Sequence, residues 1–136
     1  MNKFAGSDTV SISINRPAEK VYEYLYDLSH FPNWVSYCSS IREEESGWVM
    51  ETPYCQSAIS VAERNSYFIL DHVTVPAPGV EIHDAMRVIP NGSSCEVFLT
   101  GFQMPGMDDE KFAEGVLTGK KDLETLKEIL EGERVY

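Results

Sequence analysis

The sequence has no run of eighteen apolar residues, which excludes a membrane-crossing helix of ordinary length. Its opening stretch, MNKFAGSDTV, lacks the apolar segment of a secretory signal, so a cytoplasmic protein is expected. Cysteine is scarce: Cys38, Cys55 and Cys95 cannot all pair within one chain, and no Cys-x-x-Cys spacing exists. Free thiols in a reducing compartment follow. Basic residues are also few, 11 against 22 acidic ones, giving a formal net charge of −11. With no cationic cluster beyond Lys120-Lys121, the chain repels phosphate backbones, and neither nucleic acid nor an anionic membrane is an expected partner. No nucleophile elbow, phosphate loop, zinc signature or dinucleotide fingerprint occurs, so nothing implies a cofactor or a metal.

What is present suits one globular domain over 1–136, with its core at about 8–132: the chain is 43% hydrophobic and 24% charged. Residues 9–14, TVSISI, alternate polar and apolar as a half-buried strand does. The period then changes in NRPAEKVYEYLYDLSHF, where Pro17 suits a first helical turn and Val21, Leu25 and Leu28 recur at helical spacing. Pro32 ends that helix, and a second helical turn fits Phe31–Val35. Strands are expected near 39–43, 47–52, 55–63, 66–75, 80–89 and 94–103, separated by turn residues of which Asn91-Gly92 is the strongest signal. Beyond Asp108 and Asp109, Phe112, Val116, Gly119, Leu123, Leu126 and Leu130 step by four and three. They form one stripe on a helix ending near Glu131, roughly 24 residues or about 36 Å long. Only a sheet offers so long a partner surface. The fold class is α+β, a curved seven-stranded antiparallel sheet wrapped around a long C-terminal helix, with two short helices after the first strand.

In SISINRPAEKVYEYLYDLSHFPNW a strand leads to a Pro opening a helix, Pro17, and Trp34 follows the second short helix. In MRVIPNGSSCEVFLTGFQMPGMDDEKFAEGV a last strand passes through a Pro-Gly-Met link into the terminal helix. Together these stretches resemble the START/Bet v 1-like helix-grip superfamily, in particular its small bacterial polyketide-cyclase-like and lipid-transport-like members. The resemblance runs from about Val10 to Glu131. It implies the fold and a pocket between sheet and helix, whereas members' ligands and reactions are too varied to carry over. The link EEESGW has one glycine where plant members carry a glycine-rich loop, and CQSAISVAERNSYF lacks the Gly-rich basic approach of members resembling Hsp90 activators.

Gly115 and Gly119 interrupt the long helix, each less favourable there than Ala by about 1 kcal/mol. Either they make room for a ligand or they permit close helix–sheet packing. Tyr22, Tyr26, Trp34, Trp48, Met86, Phe102, Met104, Met107, Phe112 and Val116 are the further candidates for an apolar pocket wall. The stretch DHVTVPAPGVEIHD, residues 71–84, supplies its polar candidates. With Pro76–Gly79 as a four-residue turn, Val75 faces Val80, Val73 faces Ile82 and Asp71 faces Asp84. The valine face is then inward, placing both aspartates in the cavity as a carboxylate pair able to share a proton. His72 and His83 fall on the outer face, and a metal site there is not expected for want of a third ligand.

Three functions remain open. The first is binding of a small or medium hydrophobic molecule. The second is a polyketide cyclase/aromatase-like or dehydratase-type enzyme, a lyase or isomerase using Asp71 and Asp84 as acid and base. The third is a protein-interaction domain with a collapsed cavity. A small hydrophobic ligand is the expected partner, with the chain a monomer or homodimer.

Overall fold

The structure is a computed structural model and describes residues 5–132; the remainder of the expected 1–136 span lies outside the described residues. Strand β1 (Ser7–Ile14) is followed by α1 (Ala18–Tyr26), a 3-10 turn at Leu28–His30 and α2 (Phe31–Trp34). Six strands follow: β2 (Ser40–Glu44), β3 (Gly47–Glu51), β4 (Gln56–Val61), β5 (His72–Ala77), β6 (Val80–Asn91) and β7 (Ser94–Phe102). The chain then forms α3 (Asp109–Gly132). All neighbouring strands are antiparallel, in the order β1-β7-β6-β5-β4-β3-β2.

Local chemistry accounts for the boundaries. Pro17 stands one residue outside α1 in extended conformation, because its fixed φ of −60° enters a helix without needing a donor. Asp108 caps α3, its carboxylate accepting from the backbone N–H of Lys111 at 2.7 Å. The expected strand over 66–75 begins only at His72. Upstream, Asn65 holds the backbone in a turn: its carbonyl oxygen accepts from the N–H groups of Tyr67 and Ile69, and its amide donates to the carbonyls of Glu63 and Ile69. Those bonds compete with a strand ladder and seat Phe68 at φ 59°.

The stripe on α3 divides into two halves. Leu123, Leu126 and Leu130 are buried in one core cluster that also holds Val21, Tyr22 and Leu25 of α1 and Ile14, Val88 and Val97 of the sheet. At about 25 cal/mol per Å² of apolar surface removed from water, such side chains each contribute about 1.5–3 kcal/mol, so this half anchors the helix. Cationic side chains tie it to its neighbours: Lys127 donates to the carbonyl of Ser13, Lys120 to that of Ser11, and Arg16 to that of Glu131. Toward its N-terminus α3 carries Gly115 and Gly119, and space opens between helix and sheet.

Candidate functional site

That space is a cavity of ≈ 600 Å³. Val10, Met86 and Leu99 of the sheet form one wall, α2 with the segment after it a second, and the N-terminal half of α3 a third. The two glycines play different parts. A Cβ on Gly119 would meet Leu99 Cδ2 at 3.6 Å and Val10 Cγ2 at 3.9 Å, so this glycine brings the helix close to the sheet. Around Gly115 a Cβ would meet nothing within 4 Å, so this position borders open space.

Polar groups stand on all three walls of the cavity. His72 is buried on β5, and its Nε2 lies 3.6 Å from Asp84 Oδ2 on β6. The ring of Phe31 meets His72 edge-on, with centroids 5.9 Å apart. Gly101 makes room for the carboxylate, since a Cβ there would lie 3.7 Å from Asp84 Oδ1. Burial holds the Asp84 carboxyl above the ordinary carboxylate range, against the opposing influence of His72 and His83. Asp122, on α3 and only 6% exposed, accepts from the backbone N–H of Ser36 at 3.3 Å. Its carboxyl is likewise raised by burial, with hydrogen bonds from the Ser36 hydroxyl and N–H opposing. Tyr37 also lines the cavity, and its 41% exposure includes that wall. Desolvation first, then the charges of Asp84, Asp122 and Cys38, raise its phenol above the normal tyrosine range. Ser57 and Thr74 are buried polar neighbours in the same wall.

No family model matches the chain, and no curated protein matches it in sequence. Solved structures do match in shape. XoxI from Bacillus cereus is similar over 96% of this chain and 99% of its own, at TM-score 0.78 and 16% identity. A START superfamily protein from Mycobacterium smegmatis covers 91% of this chain and 98% of its own, at 0.65 and 12%. The Zhui aromatase/cyclase from Streptomyces sp. R1128 covers 93% of both chains, at 0.70 and 12%. With the long helix gripped by a seven-stranded antiparallel sheet, these decide the architecture. The chain has the START/Bet v 1-like helix-grip fold.

Within this helix-grip fold the structure sorts the residues singled out by sequence. Trp34, Asp84, Met86, Phe102, Met104, Met107, Phe112, Gly115, Val116 and Gly119 all line the cavity. Tyr22 and Tyr26 do not: they pair at 5.7 Å between ring centroids, under the guanidinium of Arg64, and the Tyr22 hydroxyl accepts from the Asn65 N–H. Trp48 shares the inner face of the sheet with its strand partner Ile59, away from the cavity wall.

The hairpin differs most from expectation. The turn has two residues, Pro78 and Gly79, between the paired Ala77 and Val80. Three steps along β5, from Ala77 to Thr74, then match two along β6, from Val80 to Ile82. This bulge contains Pro76, which has no N–H to give to a ladder. Beyond it His72 faces Asp84 and Val73 faces His83, so β5 presents the opposite face from the one its valines suggest. Asp71 is therefore on the outer face and forms no pair with Asp84. It accepts from Arg87 Nη2 at 3.0 Å and from the Met86 N–H at 2.9 Å. Burial works against its ionisation, but those bonds prevail and hold it below the ordinary carboxylate range. His72, expected outside, is inside; only His83 is outside, beside Glu81 at 3.1 Å.

Three contributors escaped the sequence reading. Asp122 had a signal, since it stands three residues after Gly119 and four before Leu126, inside the apolar stripe. Tyr37 follows α2 in irregular backbone and carried none. His72 was hidden by the bulge.

Proposed function

We propose that the protein binds a small to medium hydrophobic molecule between the sheet and the N-terminal half of α3. The observation that carries this reading is the ≈ 600 Å³ of space left where α3 reaches Gly115, bordered by Phe31, Trp34, Met86, Leu99, Phe112 and Val116. Ligand sites are typically about 300–1,000 Å³, mostly apolar, with a few convergent polar groups to orient the guest. Asp84, Asp122, Tyr37 and His72 are such groups. A well-packed core, by contrast, leaves few voids larger than a water molecule. The whole span 1–136 is taken as one ligand-binding domain.

The test is calorimetric titration of the full chain with decanol, beside the variant Gly115→Phe. Saturable binding that the variant loses while remaining folded supports the reading; affinity equal in both proteins overturns it.

One observation favours a second reading, proton-transfer catalysis of the cyclase or dehydratase kind. His72 Nε2 and Asp84 Oδ2, 3.6 Å apart on the cavity wall, join an imidazole and a carboxyl able to give or take a proton. Asp71 has no part in it. Turnover of any substrate found by screening should fall with Asp84→Asn, and undiminished turnover removes that role.

A further inference from the structure

Resting on the binding reading above, the charge of the guest follows from the cavity wall. Four carboxylates line it, Asp8, Asp84, Glu114 and Asp122, against Lys111 and His72. Counting His72 as a cation leaves the wall acidic. Every described arginine is committed elsewhere. Arg16 donates to backbone carbonyls and Arg42 to Glu44 and Glu51; Arg64 pairs with Glu23, and Arg87 with Asp71 on the outer face. None lines the cavity. A guest carrying a carboxylate or phosphate would meet acidic groups without a guanidinium to receive it, which costs the desolvation of an unpaired charge.

The deeper carboxylates are short of partners. Asp122, nine-tenths buried, accepts from Ser36 alone among the described residues, through its N–H and its hydroxyl, and Asp84 has His72 at a separation longer than a hydrogen bond. Aromatic side chains line the same cavity: Phe31, Trp34, Tyr37 and Phe112. Carboxylates together with aromatic rings and no competing guanidinium favour a cation, because charge-assisted hydrogen bonds and ring quadrupoles act on the same guest. The formal charge of −11 steers cations toward the molecule as well.

We propose that the cavity takes an apolar amine in its ammonium form, with the cationic head received by Asp84 and Asp122 and the apolar body lying along Gly115 and Met86. A protonated amine supplies the donors those carboxylates lack. The guest's tail needs only the apolar wall.

Three probes of one chain length separate the possibilities: decylammonium, decanol and decanoate, titrated calorimetrically into the full chain at low salt near pH 7.5. Decylammonium should bind about tenfold tighter than decanol and about a hundredfold tighter than decanoate. Asp84→Asn and Asp122→Asn should each erase most of the ammonium advantage over decanol. Decanol equal to decylammonium, or decanoate the tightest, overturns the amine assignment while the binding reading stands. Binding by none of the three overturns both. The comparison on the unmodified chain decides the matter even if a variant fails to fold.

Discussion

Replacing Gly115 and Gly119 in turn tests whether the helix bends its composition toward a cavity. Both lie inside α3, and neither has the positive φ that would favour glycine. Alanine in a helix interior is better than glycine by about 1 kcal/mol. At Gly115 the added methyl meets nothing within 4 Å, so Gly115→Ala should gain about that propensity term and little more. At Gly119 the methyl reaches Leu99 and Val10 at 3.6 and 3.9 Å, ordinary contact distances. Burial of one such group adds up to about 0.8 kcal/mol, so Gly119→Ala should gain more. An unfolding entropy of about 2.1 cal/mol/K per residue over 136 residues converts 1 kcal/mol into roughly 3.5 °C. Calorimetric Tm values should therefore rise by about 3–4 °C for Gly115→Ala and by somewhat more for Gly119→Ala.

Phenylalanine separates the two sites. A ring at Gly119 would overlap Leu99 and Val10 and cost about 1–3 kcal/mol, whereas a ring at Gly115 has the cavity to occupy. Gly115→Phe should fold at least as stably as the unmodified chain and lose decanol binding. A lower Tm for Gly115→Ala would refute the open environment assigned to that position. A Gly115→Phe protein that still binds decanol normally would refute the location of the guest.

Asp122 keeps its proton more tightly folded than unfolded, so its contribution is fully present below the unfolded carboxylate range and is lost as pH rises through the raised value. Asp122→Asn, which keeps an acceptor for Ser36, should raise Tm near pH 7.5, with the gain shrinking toward about pH 4; a gain independent of pH would contradict this. Asp71→Ala removes an ion pair whose side chains are 42% and 47% exposed, so a loss of about 0–1 kcal/mol is expected with guest affinity unchanged. A clear loss of affinity would return Asp71 to the cavity. Of the two tryptophans, Trp34 lines the cavity and Trp48 does not, so Trp48→Phe should retain a guest-induced fluorescence change that Trp34→Phe abolishes.

The architecture was readable because the chain changes period where the fold changes element. The alternation of TVSISI became β1, and the four-and-three spacing from Phe112 to Leu130 became one face of α3. Breakers marked most boundaries, although at the β6–β7 hairpin the turn is Gly92-Ser93, with Gly92 at φ 64°, and Asn91 closes it as the strand partner of Ser94. The stretch after Asn65 was not readable in this way. Tyr67 and Ile69 have strand-forming side chains, yet one asparagine side chain takes over their backbone N–H groups, and the stretch keeps only an isolated bridge to β6, Ile69 to Arg87. In the candidate site, the apolar wall on α3, the 102–107 stretch and Met86 followed from pattern. Its polar members depended on register.

The reversal of β5 has a cause beyond the extra residue at Pro76. Inferring an inward valine face assumes that the inner face of a sheet is dry and filled, which holds where Val88 and Val97 meet the leucines of α3. Toward the other end of α3 the inner face borders a cavity, and there β4 and β5 present Ser57, Thr74 and His72. Val73 and Val75 are only half-buried on the outer face, with Ser60 and Ala58 as their partners on β4. In a filled core, inward polar groups without enough partners would be costly; beside a cavity, solvent or a guest can complete their hydrogen bonds. The same sheet thus turns apolar residues inward along one half of the helix and polar residues inward along the other. A guest matched to that wall needs both an apolar body and a polar head, so the hydrophobic alternation that misassigned Asp71 also marks where the head belongs.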